Sequence, residues 1–254
     1  MAIIVNADDF GLSSSVNAAI VESFRRGWIS STTLMANMPA FDEAVALAKQ
    51  HRLDGRIGVH LNLTEGTALT GPIRQCRRLC DPDGNLLSRP RDLFIASKTE
   101  ISAIRTELRA QLRACLDAGL VPSHLDSHHH VHTSWAVGRV VIALAQEFGV
   151  PFVRVAHNAG GRISRKHLLY SAVFNRQLRA RGLAGVRYFC SIRSATPTLL
   201  QAEGGVELMV HPMMQPDGRV TEFGDKDDLG SMVERLFLQE RPVSYGELAT
   251  LARG

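Results

Sequence analysis

The chain has 254 residues, 45% hydrophobic, 21% charged and 6% aromatic, which excludes a disordered polypeptide and supplies one sizeable core without disulfide staples. Its 29 lysines and arginines exceed its 25 acidic residues by only four, and the arginines are scattered, so no basic stripe for nucleic acid emerges. No apolar stretch approaches a membrane span and the start lacks the features of a secretory signal, so a cytoplasmic protein is expected.

Ala2 to Val5 is a short apolar run of the kind a buried strand shows, and Ser13 to Arg26 follows with Val16, Ala19, Ile20 and Phe24 at helical spacing, bounded by serines and Gly27. A strand near Ser31 to Met35, a helix near Phe41 to His51 and a strand at Arg56 to Leu61 come next. Asn62 to Ser97 is rich in glycine and proline and reads as a long loop, a candidate lid. Helical spacing resumes from Ile101 to Cys115, followed by a short strand around Ser123 to Asp126 and a helix from Ser134 to Phe148 that Gly149 ends. A strand at Phe152 to Val155, a helix at Lys166 to Arg181, strands at Tyr188 to Ile192 and Val206 to Val210, a helix at Leu229 to Leu238 and a last short helix after Ser244 complete the order, with a weak strand near Val243. This alternation predicts an α/β fold with a parallel sheet covered by helices, in one domain; seven or eight units favour an irregular, TIM-barrel-related (β/α) barrel over an open sheet.

Metal-capable residues collect where these strands end. Asp8 and Asp9 follow the first strand, His60 ends the third, Asp126 and His128 follow Leu125, and His211 follows Val210. Active sites of barrels and open α/β sheets form at the carboxyl ends of strands, so these groups can converge. Adjacent carboxylates repel unless a cation or a shared proton relieves them; a metal held by one leaves the other free as a base, whereas helix capping is the plainer use of either aspartate. A lone histidine such as His60 or His211 is often a satisfied core residue. His124 to His132 is stronger, with five histidines and one aspartate in nine residues. Asp126 could orient a ligating imidazole, while the others, His130 and His132 among them, are candidates for substrate contact or for filling space. Phe10 and Trp135 lie near the same rim and could stack on a ligand or pack in the core. Cys76, Cys80, Cys115 and Cys190 read as buried or incidental thiols.

Val5-Asn6-Ala7-Asp8-Asp9-Phe10-Gly11, Gly58 to Thr64, His124 to His132 and Val210-His211-Pro212 together resemble the YdjC family of carbohydrate deacetylases, which includes chitooligosaccharide deacetylases, over nearly the whole chain. The resemblance implies a (β/α)-barrel-like fold and removal of an acetyl group from an N-acetylated amino sugar with one divalent cation. It implies Asp9, His60 and His128 as metal ligands, Asp8 as the base and His211 as the acid. Two imidazoles lean toward a transition metal such as Zn2+, and the family permits Mg2+. The expected partner is an acetylated amino-sugar substrate, with a homodimer admissible as an assembly. Two rival readings share these residues: a metal- or sugar-binding protein without hydrolysis, from which a free Asp8 would separate the enzyme, and a non-haem metal oxygenase, whose ligand triads ride on antiparallel scaffolds.

Overall fold

The computed structural model describes residues 2–88, 96–161, 163–224, 227–236 and 241–251. In chain order the elements are β1 (Ile3–Phe10), α1 (Ser14–Arg25), β2 (Ser31–Leu34), α2 (Phe41–Gln50), β3 (Ile57–Leu61), α3 (Gly71–Arg74), α4 (Lys98–Asp117), β4 (Leu125–Ser127), α5 (Trp135–Phe148), α6 (Arg165–Arg179), β5 (Tyr188–Ser191), α7 (Pro197–Leu200), β6 (Val206–Val210), β7 (Pro212–Met214), β8 (Val220–Glu222), α8 (Leu229–Leu236) and α9 (Tyr245–Leu251). Local signals explain several ends. Ser13 caps α1 by accepting from Val16 N, Ser97 and Glu100 form a capping box on α4, and Gly149 closes α5 in the left-handed conformation at φ 67.

Six parallel strands form one curled sheet in the order β4-β3-β2-β1-β6-β5, a half-barrel that agrees with the irregular barrel-like fold expected from the sequence but has fewer than the seven or eight units read there. The missing stave is the run from Phe152 to Val155. Its backbone hydrogen bonds are divided: Arg154 N donates to Leu125 O beside β4, whereas Val153 N donates to Leu183 O. Only Val153 bridges to Leu125, so no strand propagates. The chain then runs on to Asn158, whose N donates to Phe189 O of β5 and whose Oδ1 accepts from Phe189 N, so this irregular segment spans the two sheet edges. The weak strand near Val243 is also absent; Val243 N makes one bond to Ile3 O. The predicted helix end at 237–238 lies outside the described residues.

The period-two alternation of the strands sorts the core. Ile3, Val5 and Ala7 of β1, Val59 and Leu61 of β3 and Leu208 of β6 belong to one large apolar cluster with the helices, including Ile20, Leu112 and Val141. Ile4 instead packs with Phe152, Val186 and Tyr245. The residues in Ile4's phase, Asn6 and Asp8, with His60, His124, Asp126 and Glu207 from neighbouring strands, are buried and polar. Buried polar groups must be hydrogen-bonded, and this inner face carries the network described below. Gly58 belongs to the same close-packed interior, since a Cβ there would lie 2.6 Å from His124 O.

The loop after β3 is folded over much of its described length. Thr67 bridges to Asn85, and the buried Glu107 of α4 accepts from Leu69 N, Thr70 N and Thr70 Oγ1. The rest of the candidate lid, 89–95, lies outside the described residues. Among the described residues, no helix is long and apolar enough to cross a membrane.

Candidate active site and metal centre

Asp8 and Asp9 lie inside the last turn of the β1 pleat rather than beyond the strand. Adjacent residues of a regular strand face opposite sides, which would separate the two carboxylates. A register shift between Ala7 and Phe10, with Asp9 at φ 70, undoes the alternation, and both line the same cleft. Gly11 makes the turn that follows at φ 91, where Asn17 Oδ1 accepts from its N at 2.7 Å.

Asp9 Oδ1 lies 3.2 Å from His60 Nε2 and 2.9 Å from His128 Nδ1. His60 is delivered by β3; His128 follows β4 directly, on a turn where His129 and His130 both adopt left-handed backbone, at φ 50 and 55. Asp126 Oδ1 lies 2.7 Å from His60 Nδ1, and its Oδ2 accepts from Thr33 Oγ1 at 3.0 Å. A buried carboxylate at that distance places the ring proton on Nδ1, which leaves the Nε2 lone pair of a neutral His60 facing Asp9 Oδ1. Two acceptors this close require a proton or a cation between them. Without metal a proton takes that place: burial opposes a charged His60, but Asp126 and Asp9 outweigh it and push its pKa up to about 10. One carboxylate and two imidazoles suit a divalent cation, so the donor set fits one. Asp8, His60 and Asp126 form a second cluster of metal-ligating atoms, but Arg154 already engages both of its carboxylates.

Arg154 organises the rest. Its guanidinium is fully buried, donates to Asp8 Oδ1 at 2.6 Å and Oδ2 at 2.7 Å, and reaches Asp126 Oδ2 and Glu207 Oε1 at 2.8 Å. Tyr245 Oη donates to Glu207 Oε2 at 2.5 Å, tying α9 to the network. Asp8 is therefore not the free carboxylate expected from the sequence. Burial would raise its pKa, but Arg154 overrides this and holds the carboxyl well below the usual range. Burial pushes Glu207 up to about 7 against the pull of Arg154.

His211 follows β6 directly, with 30% of its side chain exposed and its Nε2 4.0 Å from Asp8 Oδ2. Glu222, almost wholly buried on β8, accepts from His211 N at 2.7 Å and lies 3.2 Å from its Nδ1. Burial opposes protonation of His211, yet Glu222 and Asp8 together raise its pKa above 6.5. Pro212 begins β7, which pairs antiparallel with β8, because proline is tolerated at the first residue of a short strand.

Asp8, Asp9, Glu65, His128, His211 and Phe223 line an open cleft. His130 and His132 stay outside the cluster of ligating atoms: His130 packs edge-on against Phe189, and the buried His132 lies 2.7 Å from Ser127 Oγ and packs on Phe174. Burial, reinforced by neighbouring positive charge, lowers both, His130 to about 3. Full burial removes His132 from substrate contact. Phe10 is core, and Trp135 lines a separate groove with Tyr170.

The family described as YdjC-like protein matches residues 2–245. The chain belongs to the YdjC-like family. Over 151 residues it is 43% identical to a carbohydrate deacetylase of Clostridium beijerinckii (59% of each chain) and 46% identical to one of Brevibacillus brevis (59% of this chain, 58% of the relative). These matches span under two thirds of either relative. A carbohydrate deacetylase of Halalkalibacterium halodurans is 34% identical over 217 residues, 84% of this chain and 85% of the relative. A crystal structure from Enterococcus faecalis, provisionally described as a cellobiose-phosphate cleavage protein, superposes with a TM-score of 0.68 at 25% identity, covering 85% of this chain and 82% of its own.

For this YdjC-like chain, sequence reasoning missed Glu65, Arg154, Glu207 and Glu222. A signal existed for two of them: Arg154 and Glu207 are lone charges inside apolar runs, Phe-Val-Arg-Val and Val-Glu-Leu-Met-Val.

Proposed function

We propose that this chain hydrolyses the acetamide of an N-acetylated amino sugar or short chitooligosaccharide, releasing acetate and a free amine. The observation that supports this most is the meeting of Asp9, His60 and His128 beside Asp8 and His211 in one cleft of a YdjC-like chain. Asp9, His60 and His128 would hold one divalent cation, a transition metal or Mg2+, which when bound polarises a carbonyl and lowers the pKa of water. Asp8 keeps one Oδ2 lone pair toward the cleft while Arg154 fixes the carboxylate, so it can take a proton from the attacking water. His211, whose protonated form Glu222 favours, faces the same space with Nε2–H and gives its proton to the nitrogen as the C–N bond breaks. The attacking oxygen leaves in acetate.

The binding-only reading gains one observation, since Arg154 gives Asp8 a structural role that needs no catalysis. Separating the enzyme from the binder thus falls to His211. The four cysteines are free, which suits a reducing compartment such as the cytoplasm. Incubating the protein anaerobically with N-acetylglucosamine oligomers should yield stoichiometric acetate and free amine, abolished by chelator and restored by added cation. Saccharide binding without acetate would support the binder, and product only in the presence of oxygen the oxygenase.

A further inference from the structure

The two imidazoles of the cluster are gripped from behind by different carboxylates. Asp126, behind His60, is buried and shared with Arg154. Glu65, whose Oε2 lies 2.9 Å from His128 Nε2, belongs to the loop after β3 and is 46% exposed. We propose that Glu65 is a positioning residue for the cation site, fixing the tautomer of His128 and coupling cation binding to the order of the 62–70 loop.

The tautomer follows from donor counting. Asp9 and Glu65 both only accept, so a cation held between Asp9 Oδ1 and Nδ1 would leave the ring proton of a neutral His128 on Nε2, donated to Glu65, the reverse of the assignment at His60. Glu65 is not a chance surface contact, because the buried Asn62 builds its backbone. Asn62 Oδ1 accepts from Thr64 N at 2.9 Å and Glu65 N at 3.1 Å, and its Nδ2 donates to Glu65 O at 2.7 Å. Asn37 Nδ2 also donates to Glu65 O, at 2.9 Å. Gln111 of α4 clamps Asn62 in turn, accepting from its N and donating to its O, both at 2.8 Å. The neighbouring Thr64 Oγ1 lies 3.0 Å from His129 Nδ1, so successive loop residues hold successive histidines. Anything that fixes His128 therefore fixes this loop, and the reverse.

The inference concerns the cation site of the reading above, but its test does not require turnover. Mn2+ or Zn2+ is titrated calorimetrically into metal-stripped wild type, Glu65→Gln and Glu65→Ala, and proteolysis within 62–70 is timed with and without cation. Glu65→Ala should bind cation about 10- to 100-fold more weakly and lose the protection that cation confers on the loop. Glu65→Gln, whose amide oxygen still accepts from Nε2–H, should recover most of the affinity. Equal affinity and equal protection in wild type and Glu65→Ala would overturn the inference while leaving the hydrolase reading intact. Absence of cation binding in wild type would overturn both.

Discussion

His211→Ala is expected to lower kcat for acetate release by about 10²- to 10⁴-fold while the bound cation stays in place. An amine leaves poorly without a proton, and His211 Nε2 is the donor facing the cleft, 4.0 Å from Asp8 Oδ2. Glu222 makes that donor useful near neutrality: it accepts from both His211 N and Nδ1, so Nε2–H is aimed into the cleft and the ring keeps its charge. Burial opposes the charged ring, but Glu222 and Asp8 raise its folded pKa above 6.5, so the acid form extends to higher pH than in a free imidazole and is lost as pH rises through the raised value. The alkaline limb of kcat should lie above that of an ordinary imidazole, and Glu222→Gln should move it to lower pH. The linkage has the same sign: the stabilisation from this pair is full below about pH 6.5 and disappears as pH climbs through the folded value. Loss of cation together with activity in His211→Ala would assign the residue to the site's architecture rather than to proton transfer.

Arg154→Met is expected to destabilise the fold by about 3–5 kcal/mol, because deletion leaves buried carboxylates with no counter-charge. Three acidic groups, Asp8, Asp126 and Glu207, converge on this guanidinium, which also stacks over Phe189 at 4.7 Å. At this chain length the loss corresponds to a drop in Tm of about 6–20 °C. Arg154→Lys should recover only part, since an ammonium cannot form the two-pronged contact with Asp8. The deficit should shrink on acidification, as the stranded carboxylates take up protons. A thermal melt series on Arg154→Met from neutral to mildly acidic pH checks this, and a deficit unchanged with pH would point to lost packing instead.

How much of this was legible depends on period and direction. The strand and helix order was readable from apolar spacing, and the clustering of Asp8, Asp9, His60, His128 and His211 at strand ends followed from the rule for parallel sheets. The open barrel was not readable, because Phe152 to Val155 has the composition of a strand and fails only in how its backbone bonds are shared. The pairing of Asp8 with Arg154 was hidden for a similar reason: 146 residues separate them, and a charge within an apolar run shows that a partner exists without naming it. Glu222 and Glu65 carried no such sign, since neither interrupts an apolar run. The bulge at Asp9 is the subtlest case. Strand periodicity would split the two aspartates, and only the left-handed backbone at Asp9 brings both to one cleft.

The most direct measurement is the cation stoichiometry of the metal-stripped chain, read by calorimetry or elemental analysis in wild type, His60→Ala, His128→Ala and His211→Ala, each checked for fold by circular dichroism. The account predicts one cation per chain in wild type and His211→Ala, and none retained by folded His60→Ala or His128→Ala. A full equivalent bound by either of those two variants at wild-type affinity would contradict it.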